Sequence, residues 1–210
     1  MKQKGVLAVV SGFSGAGKGT VLKGLLDKYD NYAFSISATT RDPRPGEENG
    51  REYFFVKEDR FEEMIRKDQL IEYARYVNHY YGTPRDYVET RLAEGTDVIL
   101  EIEIQGALNV KKKYPDAILI FVLPPTAKEL ERRLTGRGTE TAEVIRQRLS
   151  RAYEEADGME MYDYILVNDS VDLCVEELHR LIQSQHLRTK SRMELVSKMK
   201  DELKELVENM

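Results

Sequence analysis

The sequence predicts an α/β fold built on a parallel sheet with crossover helices, and three observations carry that expectation. Apolar, β-branched runs recur at residues 6–10, 98–104, 118–123 and 164–167, each followed by a helix-like segment. The first run leads straight into Gly12-Phe13-Ser14-Gly15-Ala16-Gly17-Lys18-Gly19-Thr20 and a helical pattern, the strand, glycine loop and helix order of a P-loop. Between residues 35 and 95 the texture changes to shorter runs, many tyrosines and the turn-rich Asp42-Pro43-Arg44-Pro45-Gly46. That stretch reads as an insert with a small, partly antiparallel sheet and one or two helices.

Taken in order, the strand at 6–10 feeds a helix over 19–29, and the strand at 98–104 feeds one over 106–114. After the strand at 118–123, Pro124-Pro125 breaks the run, and Thr126 followed by Glu129 is a capping box that opens a helix over 126–134. A further helix is expected over 142–156. The intervening Thr135-Gly136-Arg137-Gly138-Thr139, beside Arg132, Arg133, Arg146 and Arg148, suggests a hinged lid; the other reading of these arginines is a solvated helix face. A strand at 164–167 and a helix over 171–185 complete the core. The tail carries Val196, Met199, Leu203, Leu206, Val207 and Met210 with lysines and glutamates between, a final amphipathic helix expected to pack on its own core or on a twin subunit.

At 210 residues the chain is long enough to bury a core of its own. A net charge of −5 argues against a general nucleic-acid binder, while local arginine clusters leave room for a small phosphorylated ligand. Cys174 is the only cysteine, so no intrachain disulfide forms; its neighbours place it in a buried helix position, and a reducing, cytoplasmic setting is expected. No apolar run approaches the ~20 residues that span a bilayer. Three histidines and one cysteine leave a zinc site unsupported, and His79 has no partner at a useful spacing.

The P-loop implies a nucleoside triphosphate. Its glycines let consecutive backbone N–H groups converge on phosphate oxygens, and Lys18 reaches the β and γ oxygens. Gly19 stands where a Ser or Thr usually follows the lysine, so the hydroxyl for magnesium comes from Thr20 or is replaced by water. In the first insert, Arg41 and Arg44 are three apart with Pro43 stiffening the loop between them, two guanidinium forks suited to one phosphate. Tyr53, Tyr80 and Tyr81 supply phenols, Tyr80 reading as core. Glu72 sits in a candidate strand, and a carboxylate facing a nucleobase accepts both the N1–H and the N2 amino group of guanine but meets a lone pair on adenine. Thr83 before Pro84 has two readings, an N-cap or a base contact.

Over residues 6–185 the chain resembles the guanylate kinase family. The likeness runs through the P-loop, Thr39-Thr40-Arg41-Asp42-Pro43-Arg44-Pro45-Gly46-Glu47, Asn78-His79-Tyr80-Tyr81-Gly82-Thr83, Gln105-Gly106, Arg132-Arg133-Leu134-Thr135-Gly136-Arg137-Gly138 and Val167-Asn168-Asp169. The resemblance implies that Arg41, Arg44, Tyr53 and Tyr81 hold the GMP phosphate, with Ser37, Glu72 and Thr83 at the guanine. It places Arg133, Arg137 and Arg148 around the triphosphate and Asn168 near the adenine. Where the family has aspartates this chain has Glu101 and Glu103, two apart on an expected strand; Glu101 then serves magnesium through water and Glu103 the guanine amino group. The organisation implied is a three-layer P-loop core (1–34, 98–126, 157–186), a GMP-binding subdomain (35–97), an arginine-rich lid (127–156) and a C-terminal amphipathic helix (187–210).

The expected reaction is transfer of the γ-phosphoryl group of MgATP to GMP or dGMP, in a cytoplasmic enzyme that binds neither nucleic acid nor membrane and has a homodimer as an open option. Competing readings are a kinase for another nucleoside monophosphate, since Gly-Lys-Gly-Thr also suits an adenylate kinase, and a phosphopeptide-binding module of the same fold. Glu72 with Ser37 and Thr83 argues against the first, and Lys18 with the lid arginines against the second.

Overall fold

The computed structural model describes residues 4–76, 78–136 and 141–209. At its centre lies a five-stranded sheet in the order β2-β7-β1-β8-β9, formed by β1 (Leu7–Gly12), β2 (Tyr32–Phe34), β7 (Asp97–Glu101), β8 (Ile118–Leu123) and β9 (Tyr164–Val167). Every neighbouring pair is parallel. Parallel strands need crossovers, and the helices that supply them cover both faces, which is why β1 and β8 are apolar without alternation.

The period of two survives as a division of partners. Ala8 and Val10 pack with Val21, Leu22 and Leu25 of α1 (Lys18–Lys28) and with Cys174, Val175, Leu178 and Ile182 of α7 (Val171–Gln185). Leu7 and Val9 point the other way, onto Val88 and Leu92 of α3 (Arg85–Ala93) and Ala107 and Val110 of α4 (Ile104–Lys113). Each of the valines, leucines and isoleucines among them, buried at or near zero exposure, contributes roughly 1.5–3 kcal/mol, so the three layers hold through these two cores. Beneath the edge of the sheet the buried Asp97 carboxylate accepts four hydrogen bonds, from Val6 N–H (2.8 Å), His186 Nε2 (2.8 Å), Asn31 (3.2 Å) and Gln183 (2.9 Å), tying the end of α7 to β7.

A second sheet, ordered β4-β3-β6-β5, is made by β3 (Ala38–Thr39), β4 (Phe54–Phe55), β5 (Leu70–Tyr76) and β6 (His79–Pro84). It is antiparallel except for the β3–β4 pair. Phe61 and Met64 of α2 (Glu58–Arg66) pack on it, with Phe61 stacked on Tyr80 at 5.1 Å, so Tyr80 belongs to the core.

Helices α5 (Ala127–Thr135) and α6 (Ala142–Ala156) lie between β8 and β9; the Thr126 side chain accepts from Glu129 N–H, one half of the expected capping box, while the Glu129 carboxylate is taken up by Arg132 and Arg133. Three expectations are corrected. β7 ends at Glu101 and Ile104 already starts α4, so Glu101 and Glu103 do not share a strand face; Glu103 is the N-cap of α4. Thr83 is a strand residue and Pro84 holds the N-cap position of α3, because the hydroxyl of Thr83 is spent elsewhere. The tail is a 3₁₀ turn (Thr189–Arg192) followed by α8 (Met193–Glu208), none of whose residues is buried, so it does not fold back on the core.

Candidate active site

The carboxyl ends of β1, β2 and β7 converge, and outside them opens a cleft of about 620 Å³. One wall is the P-loop. Gly17, at φ 88°, occupies the left-handed region at the start of α1, and a Cβ there would stand 2.4 Å from Asn168 Nδ2, so geometry and space both demand glycine. Asn168 explains the tight approach: its Nδ2 donates to Ala16 O at 2.9 Å, fixing the crest of the loop, while its buried Oδ1 has no partner among the described residues. Phe13 anchors the other end, edge-on to Phe121 at 5.1 Å. Lys18 donates to Gly12 O at 2.6 Å and lines the cleft with Gly12 and Ser14; burial lowers its pKa, an effect the nearby Glu101 carboxylate opposes.

The facing wall brings Ser37, Tyr53, Thr83 and Glu103 to the same cleft. Just behind Thr83 lies Glu72, 9% exposed, whose Oε1 accepts from the Thr83 hydroxyl at 2.7 Å. Its placement comes from a bulge: Leu70 pairs with Pro84 and Tyr73 with Gly82, so Ile71 and Glu72 together oppose the single residue Thr83 and both turn inward. Burial raises the Glu72 pKa and the Thr83 hydrogen bond only partly offsets it. Beside Tyr53, Arg41 and Tyr81 form a second group: the two phenol rings meet edge-on at 6.0 Å, and the Arg41 guanidinium lies over the Tyr53 ring at 5.4 Å. Arg44 is exposed on the adjoining loop.

Several predicted residues sit elsewhere. Arg133 is turned onto the back of the P-loop, donating to Asn168 O (2.8 Å) and Ala16 O (3.3 Å), with Glu129 on its Nε. Arg148 reaches the cleft and donates to Ser14 Oγ at 3.0 Å. Arg132 is a solvated residue ion-paired with Glu129, whose carboxyl the two arginines hold down at about 2. Thr20 is exposed on α1 and is not among the residues lining the cleft; Gly15 and Gly19 complete the loop, with open space where a Gly19 Cβ would stand. Arg137 lies outside the described residues. Arg151 was not foreseen: it lines the cleft and donates to Glu103 at 3.0 Å, one helical turn after Arg148, and that i, i+3 spacing on α6 was the available signal.

A P-loop with its lysine facing a second wall of hydroxyls, phenols and carboxylates defines a phosphoryl-transfer enzyme of the P-loop class, with a donor side and an acceptor side. The guanylate kinase family model matches residues 4–185. A guanylate kinase of Lactococcus lactis is 50% identical over 97% of this chain and 100% of its own, and one of Streptococcus thermophilus is 53% identical over 90% of each. The crystal structure of guanylate kinase from Anaplasma phagocytophilum superposes with a TM-score of 0.69 at 30% identity, covering 90% of this chain and 89% of that one. The chain belongs to the guanylate kinase family.

Proposed function

We infer that this cleft transfers the γ-phosphoryl group of ATP to the phosphate of GMP, giving ADP and GDP. The observation that supports it most is the pairing of the two walls: Lys18 and the P-loop on one side, and Glu72 seated behind Thr83 on the other. A GMP phosphate oxygen attacks the γ-phosphorus as its bond to the β,γ-bridging oxygen breaks; the nucleophile is already anionic, so no general base is needed. Lys18 and the loop amides orient the donor, Arg41, Arg44, Tyr53 and Tyr81 the acceptor phosphate, and Ser37, Glu72, Thr83 and Glu103 the guanine. Asn168, with its free acceptor oxygen, suits the adenine amino group. Arg148 and Arg137, with Arg133 once released from Ala16 and Asn168, offset charge on the group in flight, and closure of a lid over 127–156 excludes water. A coupled assay of ATP with magnesium against GMP, dGMP, AMP and UMP tests the reading; equal rates with AMP and GMP would overturn it.

The residues present suit a magnesium ion. Magnesium keeps several of its waters and is held chiefly by nucleotide phosphates, so a single carboxylate lining the cleft near Lys18 fits it as an outer partner. The exposed Glu101 at the end of β7, close enough to Lys18 to affect its charge, would hold it through water. Bound there, the ion would offset negative charge on the nucleotide phosphates. Glu101→Gln is expected to raise the magnesium concentration needed for half-maximal rate several-fold with little change in GMP affinity; an unchanged magnesium titration would remove Glu101 from the metal.

Burial pushes the Cys174 thiol up to about 11, which keeps it protonated at neutral pH. No helix among the described residues is long and apolar enough to cross a membrane. The α8 stripe supports a homodimer: Val196, Met199, Leu203 and Leu206 repeat at the 3-4-3 spacing of a two-helix seam, and the last three are at least half exposed. Removing residues after Thr189 is expected to halve the mass measured by light scattering and leave turnover intact; the same mass per particle relative to chain length would exclude the seam.

A further inference from the structure

We infer that Glu47 is a positioning residue that presets Arg41 to grip the acceptor phosphate, a reading that rests on the assignment of Arg41 to that phosphate. A guanidinium carries five N–H donors along three edges, and Glu47 and Asp42 engage the two terminal nitrogens of Arg41. Nη2 donates to Glu47 Oε1 at 3.0 Å and Nη1 faces Glu47 Oε2 at 2.9 Å, a two-point fork across the end of the group. The remaining Nη1–H goes to Asp42 O at 2.6 Å. The carboxylate does not take the lateral edge, Nε–H with the other Nη2–H, which is the second fork of an arginine and the right shape for two phosphate oxygens; the Tyr81 hydroxyl, assigned to the same phosphate, also interacts with Arg41.

The carboxylate therefore occupies the end fork and leaves the lateral one for the acceptor. Rings hold the plane: the Arg41 carbon lies 5.4 Å from the Tyr53 centroid and 5.7 Å from that of Phe55. Glu47 also accepts the backbone N–H of Arg44 at 2.7 Å, so one carboxylate sets both the direction of the first guanidinium and the loop that carries the second. The pair is shielded, at 13% and 18% side-chain exposure, much as the Arg133–Glu129 pair is at 21% and 20%. Arg41 holds the Glu47 carboxyl below its ordinary range, so the fork is charged at neutral pH. Without it the guanidinium would have to be ordered by the incoming phosphate, and that ordering would be drawn from GMP affinity.

The test is a double-mutant cycle on the full chain with Glu47→Gln, Arg41→Ala and the pair, read by calorimetric titration with GMP and, separately, with guanosine, which lacks the phosphate. Expected is about a tenfold weaker GMP affinity for Glu47→Gln, unchanged guanosine affinity, and a clearly smaller further loss from Glu47→Gln once Arg41 is alanine, the remainder acting through the Arg44 loop. Guanosine binding also reports that each variant is folded. Arg41→Ala with native GMP affinity would overturn the phosphate assignment itself. If Arg41→Ala weakens GMP but Glu47→Gln leaves it unchanged or tightens it, Glu47 is a bystander or a competitor and the inference fails. Equal losses from Glu47→Gln in both backgrounds would reduce it to a loop residue, which also overturns it.

Discussion

Lys18→Ala is expected to lower turnover by at least about 10³-fold while GMP binds with nearly native affinity. The lysine stands at the mouth of the P-loop, within 2.6 Å of Gly12 O, and lines the cleft opposite the acceptor wall. Its charge serves the donor phosphates as negative charge shifts onto the β,γ-bridging oxygen, an interaction that strengthens toward the transition state, so the loss falls on the rate. Glu72 and Tyr81 are carried by a different sheet, and Arg41 and Tyr53 by the loop between β3 and β4, so they keep their arrangement. Steady-state kinetics together with GMP calorimetry check this, and a parallel fall in GMP affinity would contradict the division into donor and acceptor sides.

Glu72→Gln is expected to cost on the order of 10²-fold or more in kcat/KM for GMP and to leave any activity with AMP unchanged. The substitution keeps the shape and the bond from Thr83 but turns one acceptor into a donor facing the donors of guanine. The same variant is expected to melt higher than the parent at pH 7. Burial raises the Glu72 pKa, so the folded state holds this proton more tightly than the unfolded one; above that pKa the ionised carboxylate disfavours folding, and the penalty fades as pH falls through it. Glutamine carries no such penalty. A specificity profile that falls equally for GMP and AMP would make Glu72 structural, and an unchanged or lower melting temperature would remove the buried-charge argument.

The strands at the centre of the molecule were legible because both faces of a parallel sheet are buried, which writes a continuous apolar run into the chain. Residues 118–123 and 164–167 and the helices over 142–156 and 171–185 coincide with the observed elements for that reason, aided by proline breaks and caps. β2, only Tyr32–Phe34, went unread: three residues are too short for a period, and the strand exists because Tyr32, Ala33 and Phe34 find register beside Asp97, Val98 and Ile99. Glu103 was misplaced by the same limit. A run that continues through Ile102 and Ile104 reads as strand, but the chain turns after Glu101 and spends those isoleucines on packing at the start of α4.

What the sequence by itself determined is the chemistry: glycines where phosphate must approach backbone, a lysine at the loop's end, and paired arginines on a stiff loop, all residue types whose role follows from local geometry. What only the tertiary structure decided is which edge of each group faces the cleft. The bulge that turns Glu72 inward exists only when β5 pairs with β6, and Glu47 meets Arg41 only when their loop closes over the Tyr53 and Phe55 rings. Arg133 turned onto Ala16 and Asn168, and Arg151 reaching Glu103, join residues far apart in the chain. Such contacts depend on the register and packing of distant elements, and no local pattern of residues encodes them.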